Sequence, residues 1–354
     1  MSAAGGAGGE VPGRGASPRA FDEDAWHTRA GSADPALVYA PHRSADGRFF
    51  NPWLPDDRTP WHLLRWLASR GSFDPGAAPR VPMAANDGAY LARSREPPSL
   101  THVGHATYVL HWGGQVLVTD PFFGRRAAVV RRRVPPAFGP GVIPHGSVVL
   151  ITHNHYDHLD RGAVAALADR AAFLCPLGLG ALLRAWGTRE VRELDWWEEA
   201  EVGGTVLTCL PAQHWSRRLG QGRNRTLWCS WLAARGGLRA LFVGDSGYFV
   251  GFGEIGRRFP GIDLALVPVG AYAPRWFMHY HHMDVPEALR AFRDLGAGTM
   301  VPVHWGALRL GDEAPTRPLE DLRRELEGRP DLAGRVAVLP VGGRLLLGDP
   351  ARRG

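Results

Sequence analysis

The stretch ITHNHYDHLD at 151–160 places four metal-binding side chains within six residues, namely His153, His155, Asp157 and His158. The apolar run VVLI comes directly before it and predicts a buried strand. Residues two apart in an extended segment point to the same side, so His153 and His155 are expected to face one ion. Imidazole with carboxylate suits zinc and its neighbours. A solvated histidine-rich surface is the alternative, and the buried strand argues against it.

Further candidate ligands follow three other apolar runs. The segments VLTCLPAQHW, ALFVGDSGY and GTMVPVHWG place His214, Asp245 and His304 after predicted strands. One histidine in such a position is usually structural, but three similar positions suggest a sheet edge lined with ligands. Together with the four residues of the first motif, these make seven candidate ligands, a number that fits two metal ions.

The motif HxHxDH, with a later histidine, a strand-end aspartate and a final histidine, resembles the metallo-β-lactamase superfamily. This resemblance implies an α/β fold, the four-layer αββα sandwich, with a dinuclear centre at one edge. The segments HNHYDHLD, ELDWWEE, QHWSRR, GDSGYF, GAYAPRWFMHYHHMDVPEA and VHWG are similar, more narrowly, to the N-acyl-phosphatidylethanolamine-hydrolysing phospholipase D family. GRFFNPW, GHATYVL and TDPFF extend the similarity, which covers roughly residues 45 to 345.

The resemblance also implies a role for each matched residue. One Zn²⁺ would be held by His153, His155 and His214, the other by Asp157, His158 and His304, with Asp245 bridging the two. The catalytic residues would be Asp157, Asp245 and His282, and the substrate contacts would be Tyr156, His281, His282 and Arg217, with Arg218 adding positive charge near the entrance. His281 stands where the family is expected to have glutamine, so this chain departs from the family at the head group.

The implied reaction is a zinc-dependent phosphodiester hydrolysis of the phospholipase D type. A hydroxide bridging the two ions would attack phosphorus and release N-acylethanolamine and phosphatidate, with no covalent serine or cysteine intermediate. One alternative keeps the dinuclear hydrolase but changes the substrate to another phosphodiester or a sugar-phosphate lactone, because one fold hosts many functions. A second is a non-catalytic, metal-binding, membrane-associated protein. The complete ligand set argues against it, since a structural zinc needs only four ligands.

Composition limits the chemistry and the domain organisation. All 41 basic residues are arginine, so lysine Schiff-base chemistry is excluded. Cys175, Cys209 and Cys229 form no CxxC pair and are predicted to be buried free thiols in a reducing compartment. We expect a disordered tail at 1–24, an extension packed on the core at 25–95 and a catalytic domain at 96–350. With no signal-peptide or membrane-spanning run, we expect a cytoplasmic protein or one held on the inner face of a membrane.

Two segments of the sequence suggest what the protein binds. GRRAAVVRRRVPP at 124–136 carries Arg125, Arg126, Arg131, Arg132 and Arg133, which form either a solvated face or a dock for anionic lipid. No aromatic RNA-binding motif accompanies it, so nucleic acid is not expected, and the predicted partners are a phospholipid substrate and an anionic membrane surface. A homodimer is compatible with the sequence, which does not decide the oligomeric state. PWHLLRWLAS at 60–69 predicts an amphipathic helix with Trp61, Leu64 and Leu67 along one face. We expect this face to pack on the domain, and contact with a membrane is the alternative.

Two predictions concern local structure near the end of the chain. HMDVPEALRAFRDLG predicts a helix that Asp284 and Glu287 start as a capping box, just after His282. RVAVLPVGGRLLLGD predicts a hairpin that turns at Gly342 and Gly343.

Overall fold

The apolar run before the histidine cluster is a buried parallel strand, as its composition predicts. In the computed structural model, which describes residues 21–56, 58–69, 80–93 and 96–348, this strand lies in a seven-stranded sheet. The sheet has the order β17-β1-β2-β3-β6-β7-β8. Its strands are β1 (Ser99–Gly104), β2 (Thr107–Trp112), β3 (Gln115–Thr119), β6 (Ser147–Leu150), β7 (Ala171–Pro176), β8 (Val191–Leu194) and β17 (Arg344–Leu346).

A second sheet of six strands packs against the first. Its order is β16-β15-β14-β13-β10-β9. Its strands are β9 (Glu199–Val202), β10 (Thr205–Leu210), β13 (Ser230–Arg235), β14 (Leu238–Phe242), β15 (Leu264–Pro268) and β16 (Thr299–Val303). Two short hairpins stand apart from both sheets: β4 (Arg126–Ala127) with β5 (Val130–Arg131), and β11 (Arg217–Arg218) with β12 (Gly222–Arg223).

Helices cover the outer faces of the two sheets. Alternate side chains of a strand point to opposite faces, so Leu117 lies between the sheets, while Val116 and Val118 pack on the outer side with the helices at 161–167 and 180–185. This arrangement is the predicted αββα sandwich, and the fold class is confirmed. The helices are α1 (Glu23–Gly31), α2 (Pro60–Ser69), α3 (Arg161–Leu167), α4 (Gly180–Ala185), α5 (Gly251–Arg258), α6 (Arg275–Met278), α7 (Val285–Asp294), α8 (Arg317–Leu326) and α9 (Pro330–Ala333).

Strand direction brings the ligand-bearing loops to one edge. Strands β14, β15 and β16 are mutually parallel, and β10 runs the same way because β13 is antiparallel to both of its neighbours. The carboxyl ends of β10, β14 and β16 therefore lie along one edge of the second sheet. The loop after β6 of the first sheet meets them there.

The residues before β1 pack on the sandwich. Trp26, Phe49 and Trp53 are buried and belong to the same apolar cluster as the side chains between the two sheets. Trp53 Nε1 also donates to Gln213 Oε1 at 2.9 Å. Residues 1–20 of the predicted tail lie outside the described residues. The boundary placed after residue 24 falls inside α1, because the Asp22 side chain accepts from the Ala25 amide and starts this helix earlier.

Helix α2 has the predicted bounds, but the predicted packing of its apolar face is wrong. Trp61, Leu64 and Leu67 are 75%, 53% and 53% exposed, respectively. The helix instead packs through Trp66, whose ring stacks on Phe277 with 5.0 Å between centroids. The side that contacts α6 is therefore not the side with the most apolar surface.

The other local predictions have mixed outcomes. The capping box of Asp284 and Glu287 is present at the start of α7, and the three cysteines are free and buried, as predicted. The predicted C-terminal hairpin is wrong: Val336 bridges to Met300, whereas β17 pairs with β1. Each arm finds its partner in a different sheet, so the two arms do not pair with each other. None of the helices in the described ranges has the length and apolarity that crossing a bilayer requires.

Candidate metal centre

Three histidine nitrogens converge at the sheet edge. His155 Nδ1 lies 2.9 Å from His153 Nε2 and 3.2 Å from His214 Nε2. His153 and His155 come from the loop after β6, and His214 follows β10. We call this group the three-histidine site. Asp245, directly after β14, places Oδ2 3.9 Å from His153 Nε2 and 3.8 Å from His214 Nε2.

A second group lies on the other side of Asp245. Nε2 of His158 and Nε2 of His304 lie 3.3 and 3.4 Å from Asp157 Oδ2. His158 Nε2 also lies 3.2 Å from Asp245 Oδ2, and His304 Nε2 lies 3.3 Å from Asp245 Oδ1. We call Asp157, His158 and His304 the aspartate-histidine site. All seven predicted ligands are thus brought together, and Asp245 reaches both sites.

Hydrogen bonds on the far side of the rings fix which nitrogens are bare. Thr152 Oγ1 donates to Asp120 and so accepts from His153 Nδ1, while His214 Nδ1 donates to the His281 carbonyl. The Nε2 atoms of both histidines therefore carry lone pairs and face His155 Nδ1. A proton on His155 Nδ1 could satisfy only one of these two lone pairs, which leaves the other, beside the Asp245 carboxylate, without a donor among the described residues. The donor set fits a metal ion, and nitrogen with carboxylate oxygen suits zinc or a similar ion.

Asp120 is a functional residue that the sequence reasoning did not identify. Its Oδ2 accepts from His158 Nδ1 at 2.8 Å and from the Thr152 hydroxyl at 2.7 Å, and its Oδ1 accepts from the Thr152 amide at 2.7 Å. A carboxylate behind a ligating histidine holds the ring and its tautomer in place. The sequence did contain a hint of this residue, because Asp120 in TDPFF directly follows β3, just as the candidate ligands follow their strands.

His105 is a second residue that was missed, in the turn between β1 and β2. Its ring is 1% exposed, and its Nε2 lies 3.0 Å from Asp157 Oδ2. The ring centroid is 4.3 Å from that of His304. The segment GHATYVL contributed to the family resemblance, but its histidine, which directly follows β1 in the turn to β2, was not considered as a candidate ligand.

Backbone strain concentrates at this centre. His105, Asp120 and His304 have φ of 59°, 36° and 64°, in the left-handed region that non-glycine residues rarely adopt. Such conformations cost free energy and persist where the surroundings impose them, often at functional sites. Gly270 makes one of them possible, since a Cβ at this position would lie 2.0 Å from the His304 carbonyl oxygen.

The charges of the two sites differ. Burial lowers the pKa of His155 to about 4 and holds the pKa values of His153 and His214 well below the ordinary value. Burial also acts to lower the pKa of His158, but the carboxylates of Asp245, Asp157 and Asp120 outweigh it and raise that pKa well above its ordinary value. The three-histidine site is therefore neutral, whereas His158 holds a positive charge among carboxylates.

A cavity of about 650 Å³ opens above the two sites. It exposes His155, Asp157 and Asp245 on its floor. All four predicted substrate-contact residues line it, namely Tyr156, Arg217, His281 and His282. Most of its wall is apolar and includes Trp66, Val130, Trp215, Met278 and Leu310.

His281 and His282 occupy different positions in this cavity. The His281 ring lies against Trp215, with centroids 5.6 Å apart, and its Nε2 is 3.4 Å from Asp56 Oδ2. The His282 ring lies between the two metal sites, with its centroid 5.3 Å from that of His214 and 5.6 Å from that of His304. Burial lowers the pKa of His282 to about 3, so its ring is neutral.

Two features beside the cavity make local hydrogen bonds. At the start of α7, the Glu287 amide donates to the Asp284 side chain and the Asp284 amide donates to the Glu287 side chain. Arg218 lines the cavity beside Arg217. It donates to the carbonyls of Asn154 and Leu159 and lies 4.2 Å from the centre of the Tyr156 ring, so it holds the metal-binding loop.

Comparison with known proteins agrees with this geometry. The family model of the beta-lactamase superfamily domain matches residues 115–305. A structure from Veillonella parvula, described as a possible metal-dependent hydrolase, superimposes with a TM-score of 0.59 at 17% identity, covering 71% of this chain and 100% of that one. At this identity the likeness shows the fold alone.

Two relatives are closer in sequence. An uncharacterized protein of Mycobacterium tuberculosis is 40% identical over 284 residues, which are 75% of this chain and 73% of the relative. N-acyl-phosphatidylethanolamine-hydrolyzing phospholipase D 1 of Caenorhabditis elegans is 34% identical over 251 residues, which are 66% of this chain and 70% of the relative.

Proposed function

Since this chain belongs to the metallo-β-lactamase superfamily of metal-dependent hydrolases, we propose that it hydrolyses N-acyl-phosphatidylethanolamine to N-acylethanolamine and phosphatidate. The observation that carries this proposal is the cavity, whose floor exposes the candidate ligands His155, Asp157 and Asp245 and whose wall is mostly apolar. The relative from Caenorhabditis elegans, named for this reaction, supports the same substrate.

The cavity combines the chemistry that a phospholipid needs. The phosphodiester would lie over the two metal sites, with Arg217 at the entrance to offset its negative charge. Acyl chains would lie along Trp66, Met278 and Leu310. A soluble sugar phosphate would leave this apolar wall in contact with water, which is unfavourable in proportion to its area.

Metal ions held by these seven residues would lower the pKa of a coordinated water and polarise the phosphoryl oxygens. In the metal-free protein the carboxylates of Asp245 and Asp157 are already ionised, because the neighbouring positive His158 outweighs the effect of burial and holds their pKa values well below the ordinary range. With metal bound, His158 would be neutral and the ions themselves would keep both carboxylates ionised. These carboxylates offset the charge of the ions and fix the positions of two oxygen ligands.

The remaining residues of the cavity bind and orient the substrate. His282 is neutral, and its Nδ1 has no hydrogen-bond partner among the described residues, so it can hydrogen-bond a phosphoryl oxygen or the leaving oxygen without changing charge. Tyr156 accepts from the Leu219 amide through its hydroxyl oxygen, which leaves the hydroxyl proton for the substrate. His281, held between Trp215 and Asp56, lies where the head group amide would be contacted.

The alternative functions differ from the proposal in their products. A dinuclear hydrolase of another phosphodiester, or of a sugar-phosphate lactone, would use the same floor of the cavity but would not need its apolar wall. A non-catalytic metal-binding protein would have no use for a cavity above two adjoining sites.

The test is to incubate purified protein with mixed phospholipids and identify the products by mass spectrometry. We expect phosphatidate and N-acylethanolamine from N-acyl-phosphatidylethanolamine, and neither product from the Asp245→Asn variant. Release of diacylglycerol or free fatty acid, or turnover only of water-soluble phosphodiesters, would refute the proposal. Absence of turnover in metal-loaded protein would favour the non-catalytic alternative.

A further inference from the structure

The most exposed large apolar side chains of the described residues lie on three elements around one opening. Leu219 and Val129 are 92% and 85% exposed at the tips of the hairpins β11–β12 and β4–β5, and Trp61 of α2 is 75% exposed. Leu64 and Leu67 of α2 are next, at 53% each. Val129 and Leu219 line the cavity, as does Trp66 of the same helix. We call these three elements the apolar rim.

The apolar rim is also rich in positive charge. Arg125, Arg126 and Arg131 are exposed on the first hairpin, and Arg217 is exposed on the second. The segments 60–69, 124–136 and 215–225 contain no aspartate or glutamate. Arg132, which the sequence suggested as part of the charged loop, is buried and donates from Nε to the Gly124 carbonyl at 3.0 Å, so it belongs to the structure of the hairpin.

We propose that the apolar rim docks the protein on the surface of an anionic phospholipid bilayer, with the cavity facing the lipid. This inference rests on the proposed function, for which it supplies the route of the substrate. Exposed apolar tips are unfavourable in water and enter the boundary between head groups and acyl chains. Tryptophan favours that boundary, and the surrounding arginines attract anionic head groups.

Vesicle binding without turnover tests the proposal. The wild-type protein is centrifuged with vesicles of phosphatidylcholine alone or with added phosphatidylserine. We expect binding to the anionic vesicles that weakens with salt. We also expect Arg126→Gln/Arg131→Gln to bind about thirtyfold more weakly, which is the effect of losing two charges near the surface. Trp61→Ser/Leu64→Ser/Leu67→Ser should bind at least about tenfold more weakly, because it removes the apolar area that would enter the bilayer.

A matched control separates this surface from apolar exposure in general. Val206 and Val338 are 36% and 44% exposed and do not line the cavity, so Val206→Ser/Val338→Ser should bind as the wild type does. Equal binding by wild type and rim variants, or no binding of wild type to anionic vesicles, would overturn the proposal. Vesicle binding through the rim with no hydrolysis of N-acyl-phosphatidylethanolamine would instead refute the proposed function alone.

A second, independent inference concerns His105. Its Nδ1 has no hydrogen-bond partner among the described residues, and its Nε2 faces Asp157 Oδ2. If Nε2 were bare and bound a metal, Nδ1 would carry a buried proton with no acceptor, which is costly. If Nε2 carries the proton, it donates to Asp157 and Nδ1 is only an unused acceptor. We infer that His105 is a positioning residue, which holds the Asp157 carboxylate so that it faces the metal.

Metal affinity tests this role without any substrate. In His105→Ala we expect affinity for the second Zn²⁺, measured against a chromophoric chelator, to fall by about tenfold to a hundredfold, as for other outer partners of metal ligands. In His105→Gln the amide restores a donor, and we expect part of the affinity to return. His111→Ala is the control, because His111 is equally buried and also has an unpartnered Nδ1, but packs against Tyr90.

Unchanged affinity for the second Zn²⁺ in His105→Ala would overturn the inference. So would an equal loss in His111→Ala, or the absence of any rescue by glutamine, because each would mean that the histidine acts only through packing. Thermal unfolding of all three variants is measured beside the metal titration to show that they fold.

Discussion

The carboxylate of Asp120 accepts a hydrogen bond from His158 Nδ1 at 2.8 Å, and the same oxygen accepts from the Thr152 hydroxyl at 2.7 Å. Through these bonds it fixes the tautomer of His158 directly and that of His153 through Thr152. One buried carboxylate outside both metal sites thus orients a ligand in each of them.

The first prediction concerns this carboxylate. Asp120→Asn replaces an acceptor with a group that can donate to His158 Nδ1, which favours the wrong tautomer. We expect metal affinity to fall by about tenfold to a hundredfold at both sites, measured by chelator competition. Asp22→Asn is the control, since Asp22 caps α1 and asparagine serves equally well there. Wild-type affinity in Asp120→Asn would contradict the tautomer argument.

The second prediction concerns metal content. Purified active protein should hold two transition-metal ions per chain, and His304→Ala should keep one, because the three-histidine site does not use His304. Both His304→Ala and Asp245→Asn should abolish activity without unfolding the chain. Metal analysis, with circular dichroism for the fold, measures this. Full activity with only trace metal would rule out the dinuclear centre.

The third prediction is that the two sites fill at different pH. Metal binding requires neutral imidazole. The lowered pKa values in the three-histidine site keep its rings neutral down to about pH 4, the pKa of His155. The raised pKa of His158 means that a proton must leave before the second ion binds, so affinity there falls as pH falls through that pKa.

Zinc titration of metal-free protein at neutral pH, in buffers of different ionisation enthalpy, should therefore show proton release mainly with the second ion. On acidification, the aspartate-histidine site should empty first. Equal proton release at both steps would show that His158 is not charged in the metal-free protein.

The fourth prediction separates the two cavity histidines. His281→Gln restores the residue expected in the family and should keep substantial hydrolysis of N-acyl-phosphatidylethanolamine, because glutamine also donates and accepts. His282→Ala should lower kcat strongly, since this ring lies between the two metal sites. Steady-state kinetics on both variants decides the matter. An inactive glutamine variant beside a nearly normal His282→Ala would reverse the two roles and argue against the proposed substrate.

Much of the centre could be predicted from the sequence. The candidate ligands His153, His155, Asp157 and His158 are close in the chain, and an apolar run marks the strand that carries them. His214, Asp245 and His304 could be found because each follows a strand, and parallel strands end at one edge. The capping box of α7 was equally local, since its two partners are three residues apart.

Other features of the fold and of the site depend on contacts between segments that are distant in the sequence. Asp120 and His105 act through candidate ligands that lie 38 and 52 residues further along the chain. A local pattern can mark Asp120 as a residue that follows a strand, but it does not show which side chain either residue holds. The apolar face of α2 has the same periodicity whether it packs or stays exposed, and only the contact of Trp66 with Phe277 decides which side turns inward. The arms of the expected C-terminal hairpin pair with different sheets for a similar reason. Sequence determines which side chains follow each strand, because strand periodicity is local, whereas burial and hydrogen-bond partners depend on what other parts of the chain pack there.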